Sequence, residues 1–557
     1  MNGKAAGPGL GYASDGQAIQ SHEFAYRRST DQDAAAPVRH LVVVVGAGPV
    51  GLSLAIDLAQ RGQRVLLLDN DHRLSTGSRA ICFAKRTLEV WDRLGVGDAM
   101  CAKGVEWNVG KVYFRDELLY QFNLLPEPGH ERPAFINLQQ YYAEAYLAVR
   151  AAELTNLEIR WKNTVADVQQ DARGVLLDID TPEGRYQVRA DHVAACDGSR
   201  SALRVKLGQE STGRTFRDRF LIADVRMQAD FPAERWFWFD PPFHRNQSVL
   251  LHRQPDGVWR IDFQLGWDAD PEEEKKLERI KPRVDAMMRQ ALGREVRFEL
   301  EWASVYTFSC LRMPAFRIGR VHFAGDSAHS VSPFGARGAN SGVQDAENLA
   351  WKLDLVLRGR AGDALLDSYG SEREYAADEN ILNSTRATDF ITPKSEISRL
   401  FRDAALNLAR DHGFARRIVN SGRLSVPAVL HASPLNTPDR DAFLGAMVPG
   451  AAAVDAPLML EGRPAWLLRQ LSGEGFIALV FDGPDNAAIA RAVHSGAEGL
   501  VPVKVQCVPA EGLATERYDA RPGTVVLFRP DQHVCARWRN ATAADVRAAL
   551  RRALALH

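Results

Sequence analysis

The chain has 557 residues and a formal net charge of -1, with 69 Lys and Arg against 70 Asp and Glu. With no basic excess to hold a polyanion, a nucleic-acid partner is excluded, and so is electrostatic attachment to an anionic membrane. A composition of 46% hydrophobic and 25% charged residues is that of an ordinary globular protein, and the length predicts about two to four domains.

Residues 1–38 are rich in Gly, Ala, Ser and Asp, and Glu23, Arg27, Arg28, Asp31 and Asp33 interrupt any apolar core that a secretory signal would need. They predict a mobile N-terminal arm, with Phe24 and Tyr26 as its anchor points. The longest uncharged run, Leu41 to Ile56, is 16 residues and contains Gly46, Gly48, Pro49 and Gly51, too short and glycine-rich to span a bilayer. Its first part, Leu41-Val-Val-Val-Val45, is a β-branched run suited to a strand buried on both faces of a parallel sheet. Val50 to Arg61 reads as a helix with Gly62 at its C-cap, and Arg64-Val-Leu-Leu-Leu-Asp69 as a second strand ending in an acid. This is a βαβ unit whose connecting turn, Gly46-Ala-Gly-Pro-Val-Gly51, fits GxGxxG. Glycines there permit a tight turn and close backbone approach, and the helix N-terminus offers N–H groups to a pyrophosphate. Asp69, 23 residues after Gly46, is placed to accept hydrogen bonds from a ribose.

After Leu94 the pattern changes. Gly110 to Phe122, Phe220 to Met227 and Ser248 to Leu265 alternate apolar and polar residues, predicting a sheet with one wet face. This stretch carries Arg235-Trp-Phe-Trp-Phe-Asp-Pro-Pro242, His252, Trp259, Arg260 and Phe263. The aromatics could line a flat pocket, with Arg260 or His252 meeting a phenolate or carboxylate, or they could simply be core. Gly319 to Arg358 returns to strand, glycine loop and helix, so the first domain is interrupted by a mainly β insertion. Asp326, at a strand end, could accept a ribityl hydroxyl. The N–H groups of the loop Pro333 to Asn340 and the dipole of the following helix could stabilise negative charge on a reduced isoalloxazine.

Residues 395–425 read as helical and lead into a linker, Ala432 to Pro438. Phe476 to Phe481, Val501 to Val508 and Thr524 to Phe528 read as strands and Ala543 to Leu556 as a helix, giving a third, small α/β domain. The six cysteines, Cys82, Cys101, Cys196, Cys310, Cys507 and Cys535, are far apart with no CxxC and no histidine at ligand spacing. They read as reduced thiols of a cytoplasmic protein without a metal site.

Three segments occur in a telling order: GxGxxG at Gly46 to Gly51, then Ala194-Ala-Cys-Asp197-Gly198-Ser-Arg-Ser201, then Gly325-Asp326. In this the sequence resembles the single-component FAD-dependent aromatic hydroxylases, the class A flavoprotein monooxygenases. The C-terminal part, with Pro449-Gly450, Asp455-Ala-Pro-Leu458 and Phe528-Arg-Pro-Asp531, resembles the extension of the subgroup that includes phenol hydroxylase, 3-(3-hydroxyphenyl)propionate hydroxylase and aromatic polyketide hydroxylases. The resemblance implies an α/β fold: a Rossmann-like FAD-binding domain of the p-hydroxybenzoate hydroxylase type, interrupted by a β-sheet substrate domain, plus a C-terminal thioredoxin-like domain. The FAD-binding domain would comprise 39–112, 139–219 and 310–395, the substrate domain 113–138 and 220–309, the helical segment and linker 396–438, and the thioredoxin-like domain, without CxxC, 439–557. That last domain would serve packing or homodimer contact.

The resemblance also implies roles. Gly46, Gly48, Pro49, Gly51, Asp69 and Asn70 would hold the ADP half of FAD, Arg79 the flavin or nicotinamide region, and Gln140 the phosphate or ribityl side. Asp197 and Gly198 are associated with both FAD and the pyridine nucleotide, and Gly325 and Asp326 with the ribityl chain. Pro333, Gly335, Gly338, Ala339 and Asn340 would run beside the isoalloxazine, with Pro333, His252 and Arg260 as the catalytic candidates. The implied reaction is hydroxylation of a phenolic compound, such as a hydroxyphenylpropionate-like acid, through a flavin C4a-hydroperoxide, with NADPH or NADH as reductant and O2 as co-substrate. Three other readings stand beside it: a flavin-dependent halogenase, since Trp236-Phe-Trp-Phe-Asp-Pro241 resembles WxWxIP; a flavin-linked oxidoreductase that uses no oxygen; and a non-catalytic flavoprotein assembly module.

Overall fold

The computed structural model describes residues 10–419, 424 and 426–556. Residues 1–9 of the expected arm, and 420–423 and 425 of the expected helical segment, lie outside them. From residue 10 onward the arm is not loose. Leu10, Ile19 and Phe24 are buried, the Phe24 ring stacks on Trp161 at 4.0 Å, and the Tyr26 hydroxyl donates to Gln32 at 2.9 Å. Polar composition predicted mobility, but a few well-spaced apolar side chains suffice once the first domain supplies seats for them.

The βαβ unit forms as β1 (Val38–Val45), α1 (Pro49–Gln60) and β2 (Val65–Leu68), with β1 and β2 parallel. After β3 (Cys82–Ala84) the chain leaves this sheet for β4 (Val109–Phe114) and β5 (Glu117–Asn123), then returns through α2 (Gln140–Glu153) to β6 (Leu157–Arg160) and β7 (Gly184–Ala195). A second excursion comprises β8 (Thr212–Met227), β9 (Arg235–Phe239), β10 (Ser248–Arg253), β11 (Val258–Leu265), α3 (Leu277–Leu292) and β12 (Phe298–Arg312). Then β13 (Val321–Phe323), α4 (Gly338–Leu357) and α5 (Ala364–Ile391) complete the first domain, and α6 (Glu396–Asp411) follows.

The first sheet has a parallel core in the order β13-β7-β1-β2-β6, extended by antiparallel strands that pair with β13 and with the start of β7. All of β2 and the last four residues of β1 are buried, as expected of a sheet covered on both faces. The second runs β12-β8-β11-β10-β9-β4-β5, antiparallel except for β9 with β4. Here the expectation of a solvent-wet face is corrected. Side chains on one face, including Leu221, Ala223, Trp259, Ile261 and Phe263, pack against Ile280, Val284, Met287 and Met288 of α3. The opposite face, which carries the polar residues of the alternation, turns inward to a cavity shared with the first domain. Trp236 and Trp238 belong to the α3 side with Trp259 and Phe263, so these four aromatics are core, whereas Phe237 and Phe239 lie on the opposite face in a separate apolar cluster.

The C-terminal domain is an α/β unit of β14 (Phe476–Phe481), α7 (Asn486–Ala497), β15 (Val503–Val508), β16 (Val525–Phe528), β17 (Val534–Trp538) and α8 (Ala543–Ala553), with sheet order β15-β14-β16-β17. β17 carries no sequence signal, because its five residues follow a turn too closely to show alternation. This domain docks on α4 and α5 through apolar contact, Trp351 and Leu365 packing into its core, and through buried charge. Arg529 pairs with both Glu372 and Asp531, all three with fully buried side chains. Asp531 also accepts from Trp351 Nε1 at 3.1 Å, and Arg86 donates to the Asp531 carbonyl at 2.8 Å. The expected linker is also packed: Leu435 is buried and the Ser433 hydroxyl donates to Glu372.

Candidate functional site

The glycines of the turn between β1 and α1 do two different jobs. Gly46 has φ +106°, and a β carbon there would collide with the Cys196 carbonyl; one on Gly51 would collide with the carbonyl of Gly46. Gly46 thus lets the turn approach the chain leaving β7, and Gly51 lets the start of α1 approach the end of β1. Gly48 has nothing within 4 Å of where its β carbon would stand. No protein packing explains a glycine there, whereas a bound group lying against the turn does. α1 starts with no side-chain cap and Pro49 in its first turn, so its N-terminal N–H groups and dipole face the same space. Asp69 Oδ2 accepts from Ala47 N at 2.5 Å and Oδ1 from Asp71 N at 2.7 Å. The carboxylate thus braces the turn while lining the cavity, and burial raises its pKa.

The second glycine–aspartate pair lies at the end of β13. Gly325 N donates to Asp345 Oδ2 at 2.9 Å; the same carboxylate takes His329 Nε2 at 2.7 Å and Arg373 Nε at 2.6 Å. His329 and Arg373 beside it hold the buried Asp345 carboxyl down to about 2 against the pull of desolvation. This clamp fixes the loop so that Asp326 opens to the cavity, with no protein hydrogen bond to its carboxylate among the described residues. Enclosure by the surrounding walls raises the Asp326 pKa, opposed by His329 and Arg79. Asp197 repeats the pattern: Oδ2 accepts from Leu203 N at 3.1 Å, Oδ1 is buried without a partner, and burial raises its pKa.

α4 begins beside Asp326, again without a side-chain cap. Its start is held by Asn340, which accepts from Ala84 N at 2.8 Å and Thr87 Oγ1 at 2.6 Å and donates to Cys82 O at 2.9 Å. The Asn340 side chain is therefore a brace, and only its main chain remains for a ligand. Phe334, next to Pro333, packs its ring on Phe220 at 4.8 Å and on Phe308 at 5.3 Å, which ties this loop to the second sheet.

These parts enclose one cavity of about 580 Å³. Of the residues predicted to bind a cofactor, Gly46, Gly48, Pro49, Asp69, Asn70, Arg79, Gln140, Asp197, Gly198, Asp326, Pro333, Gly338, Ala339 and Asn340 line it. Gly51, Gly325 and Gly335 do not; they permit close packing behind the wall, Gly325 against Val50 for instance. An open glycine cradle, two uncapped helix starts and cavity-facing carboxylates fit the pyrophosphate, ribose and ribityl parts of FAD.

The other wall comes from the second sheet. The register places Arg235 opposite His252, His252 opposite Arg260 and Arg260 opposite Asp224, four neighbours on one face of β9, β10, β11 and β8. Arg260, a catalytic candidate from sequence, is otherwise engaged. It donates to Asp224 through Nε and Nη2, both at 2.8 Å, to the Arg79 carbonyl at 3.2 Å, and to the Ser78 carbonyl. It tethers the loop that carries Arg79, and its charge is balanced. His252 is buried, with Nε2 3.7 Å from Asp262 Oδ2 and Nδ1 3.9 Å from Cys82 Sγ. Desolvation, then the neighbouring Arg235, lower its pKa to about 4, so the imidazole is neutral at neutral pH. Arg235 and Asp262 reach the cavity too. In the sequence Arg235 stands within an aromatic run, and Asp262, Asp224 and Asp345 carry no signal, each being one charged residue inside a strand or helix with no characteristic spacing.

A Rossmann-like nucleotide site joined through one cavity to the inner face of an antiparallel sheet defines an FAD-dependent hydroxylase of the p-hydroxybenzoate hydroxylase fold. Comparison with known proteins agrees. Residues 39–384 match the FAD binding domain family, and the chain belongs to it. The chain is 31% identical over 526 residues to 6-methylpretetramide 4-monooxygenase of Streptomyces rimosus, covering 89% of this chain and 90% of that one. It is 27% identical over 524 residues to a 3-(3-hydroxy-phenyl)propionate/3-hydroxycinnamic acid hydroxylase of Mycolicibacterium smegmatis, covering 88% and 89%. Among solved structures, the flavin-dependent monooxygenase PieE, in complex with FAD and substrate, superposes with a TM-score of 0.78 at 23% identity, over 94% of this chain and 100% of that one. The protein is an FAD-dependent monooxygenase of the class A aromatic hydroxylases. No helix among the described residues is long and apolar enough to cross a membrane.

Proposed function

We propose that the protein hydroxylates a phenolic aromatic compound, consuming O2 and NADH or NADPH. One observation carries this reading: a single cavity runs from the glycine cradle and Asp326 at one end to the polar wall of His252, Asp262 and Arg235 at the other. When bound, FAD supplies two-electron transfer from the nicotinamide and activation of oxygen, chemistry that no side chain performs. One oxygen atom enters the ring and the other leaves as water.

The chain's own residues bind, orient and dry the site. Gly46, Gly48, the start of α1 and Asp69 cradle the ADP half, and Asp197, Asp326 and the start of α4 hold the remainder. Arg260 positions the loop bearing Arg79. The second sheet, backed by α3 and closed by Phe334, keeps water from the reacting edge, where Pro333 forms part of the boundary. An electron-rich ring reacts faster as its phenolate, so the substrate hydroxyl needs an acceptor for its proton. Asp262 Oδ1, buried and without a partner, and the neutral His252 beside it are that acceptor pair. The C-terminal domain, which we read as thioredoxin-like, acts by bracing α4 through Arg529 and Asp531.

The test is to purify the protein with its flavin and follow oxygen uptake and NAD(P)H oxidation across a panel of phenols. The expected result is stimulated consumption with a product heavier by one oxygen atom. Anaerobic turnover of the same compounds, or oxygen uptake that ends only in peroxide with every phenol, would refute it.

A further inference from the structure

The N-terminal arm grips a loop of the cofactor site from outside. Asn70 and Arg79 line the cavity, and the eight residues between them run behind its wall. On the inner side this loop is held by the rest of the first domain and by the second sheet. Ser75 N and Oγ both donate to Glu144 at 2.7 Å, Ala80 N donates to Gln140 at 3.0 Å, and Arg260 holds the Ser78 and Arg79 carbonyls. On the outer side the arm holds it at three points. Phe24 N donates to the His72 carbonyl at 2.7 Å, Glu23 pairs with Arg73, and Gln20 Oε1 accepts from Gly77 N at 3.1 Å.

The Gln20 contact is the most exacting of the three. Gly77 is buried, and among the described residues no other acceptor meets its N–H. Its φ is +71°, and a β carbon there would overlap the Trp302 ring on β12, so the main chain is wedged between the arm and the second sheet. Phe24 secures the other end. Its ring stacks on Trp161, the residue before Lys162 and Asn163, whose N–H groups donate to the carbonyls of Asp71 at 3.0 Å and Asp69 at 2.8 Å. The Glu23–Arg73 pair is about half exposed on both sides and adds little. Burial of Leu10, Ile19 and Phe24 is enough to seat the arm; the hydrogen bonds to His72 and Gly77 go further, because they reach main-chain groups of the loop and set its position.

A ligand covered by a loop leaves no faster than that loop opens. With the cavity filled, the loop has ligand on one side and arm on the other; with it empty, the loop is free to relax. Loss of an outer anchor therefore costs the loaded form more than the empty one. We propose that the arm is a strap on the cofactor site, with Gln20 as a positioning residue that holds the Asn70–Arg79 loop over FAD and sets how slowly the flavin leaves. This uses the FAD site and not the identity of the substrate, so it stands or falls apart from the proposed hydroxylation.

The test follows exchange of radiolabelled FAD, bound to the full-length enzyme, against excess unlabelled FAD, with no substrate or NAD(P)H present. Gln20→Leu is expected to speed release about 5- to 150-fold, the range for a buried amide left without an acceptor, while the apoprotein keeps its wild-type melting temperature. Gln20→Glu, which retains an acceptor oxygen at the same reach, is expected to restore slow release. Removal of residues 1–29 is expected to release FAD at least as fast as Gln20→Leu. That deletion spares Asp31, which pairs with His40 and Arg160; should the shortened chain not fold, the two Gln20 variants decide. Wild-type release from Gln20→Leu overturns the proposal. A lowered apoprotein melting temperature in Gln20→Leu also overturns it, because the contact then serves the fold and not the ligand. Equally fast release from Gln20→Glu and Gln20→Leu overturns it too, since the hydrogen bond to Gly77 is then not what holds the loop. Gln20-dependent release with no hydroxylated product from any phenol leaves the strap standing and removes the proposed function. Hydroxylation of phenols with release indifferent to Gln20 does the reverse.

Discussion

Gly48→Ala and Gly51→Ala test directly whether the turn after β1 is shaped by the protein or by what it holds. Both positions belong to the same motif, yet the structure separates them. At Gly51 the added methyl would overlap the Gly46 carbonyl, a backbone atom that cannot swing aside, so the expected loss of stability is about 3 kcal/mol or more. At Gly48 nothing lies within 4 Å of the new atom, and φ is -74°, an ordinary value for alanine. The apoprotein should therefore keep its stability, or gain about 0.5 kcal/mol from a stiffer unfolded chain. FAD affinity should fall, because the methyl occupies the cradle. An overpacking cost of about 1–3 kcal/mol corresponds to a roughly 5- to 150-fold higher Kd. Calorimetric melting of the apo forms gives the first quantity, and titration of FAD fluorescence quenching gives the second. If Gly48→Ala binds FAD as the wild type does, or destabilises the apoprotein as much as Gly51→Ala, the two glycines do not divide the labour in this way.

Two further outcomes follow from buried charge. His252 titrates near 4 when folded against 6.5 when unfolded, so the unfolded chain takes up its proton first as pH falls. This costs the wild type about 3 kcal/mol between pH 6.5 and 4 and nothing more below that. Urea melts of His252→Gln should lack this share of the pH dependence, and parallel curves for the two proteins would contradict it. At the domain junction, Arg529→Met leaves Glu372 and Asp531 without their shared arginine; both are fully buried and both have pKa values held down against desolvation, chiefly by that arginine. Denaturant unfolding should show a loss of about 3–5 kcal/mol, and a change below about 1 kcal/mol would mean that the C-terminal domain docks mainly through apolar contact.

Legibility in the sequence followed locality. The βαβ unit could be read because strand, glycine turn, helix and acid lie within 32 residues, Val38 to Asp69, and each obeys a backbone rule of its own. The Asp326 loop could be read for the same reason. The second sheet was recognised as a sheet, but its polar alternation suggested solvent when it faces a cavity, because period two says which residues share a face and not what that face meets. Arg260 looked like a substrate ligand until Asp224 and two carbonyls of the Arg79 loop were seen to consume its donors.

The nucleotide end of the site was thus written into contiguous residues, since phosphate recognition by a glycine turn and a helix start depends on local dihedral angles and free N–H groups. The substrate end was decided by strand pairing. Asp224, Arg235, His252 and Arg260 become neighbours only through the registers of β8, β9, β10 and β11, and Arg260 is spent because a loop reaches in to it from the first domain. That outcome is a matter of long-range packing and charge balance, which no local pattern encodes.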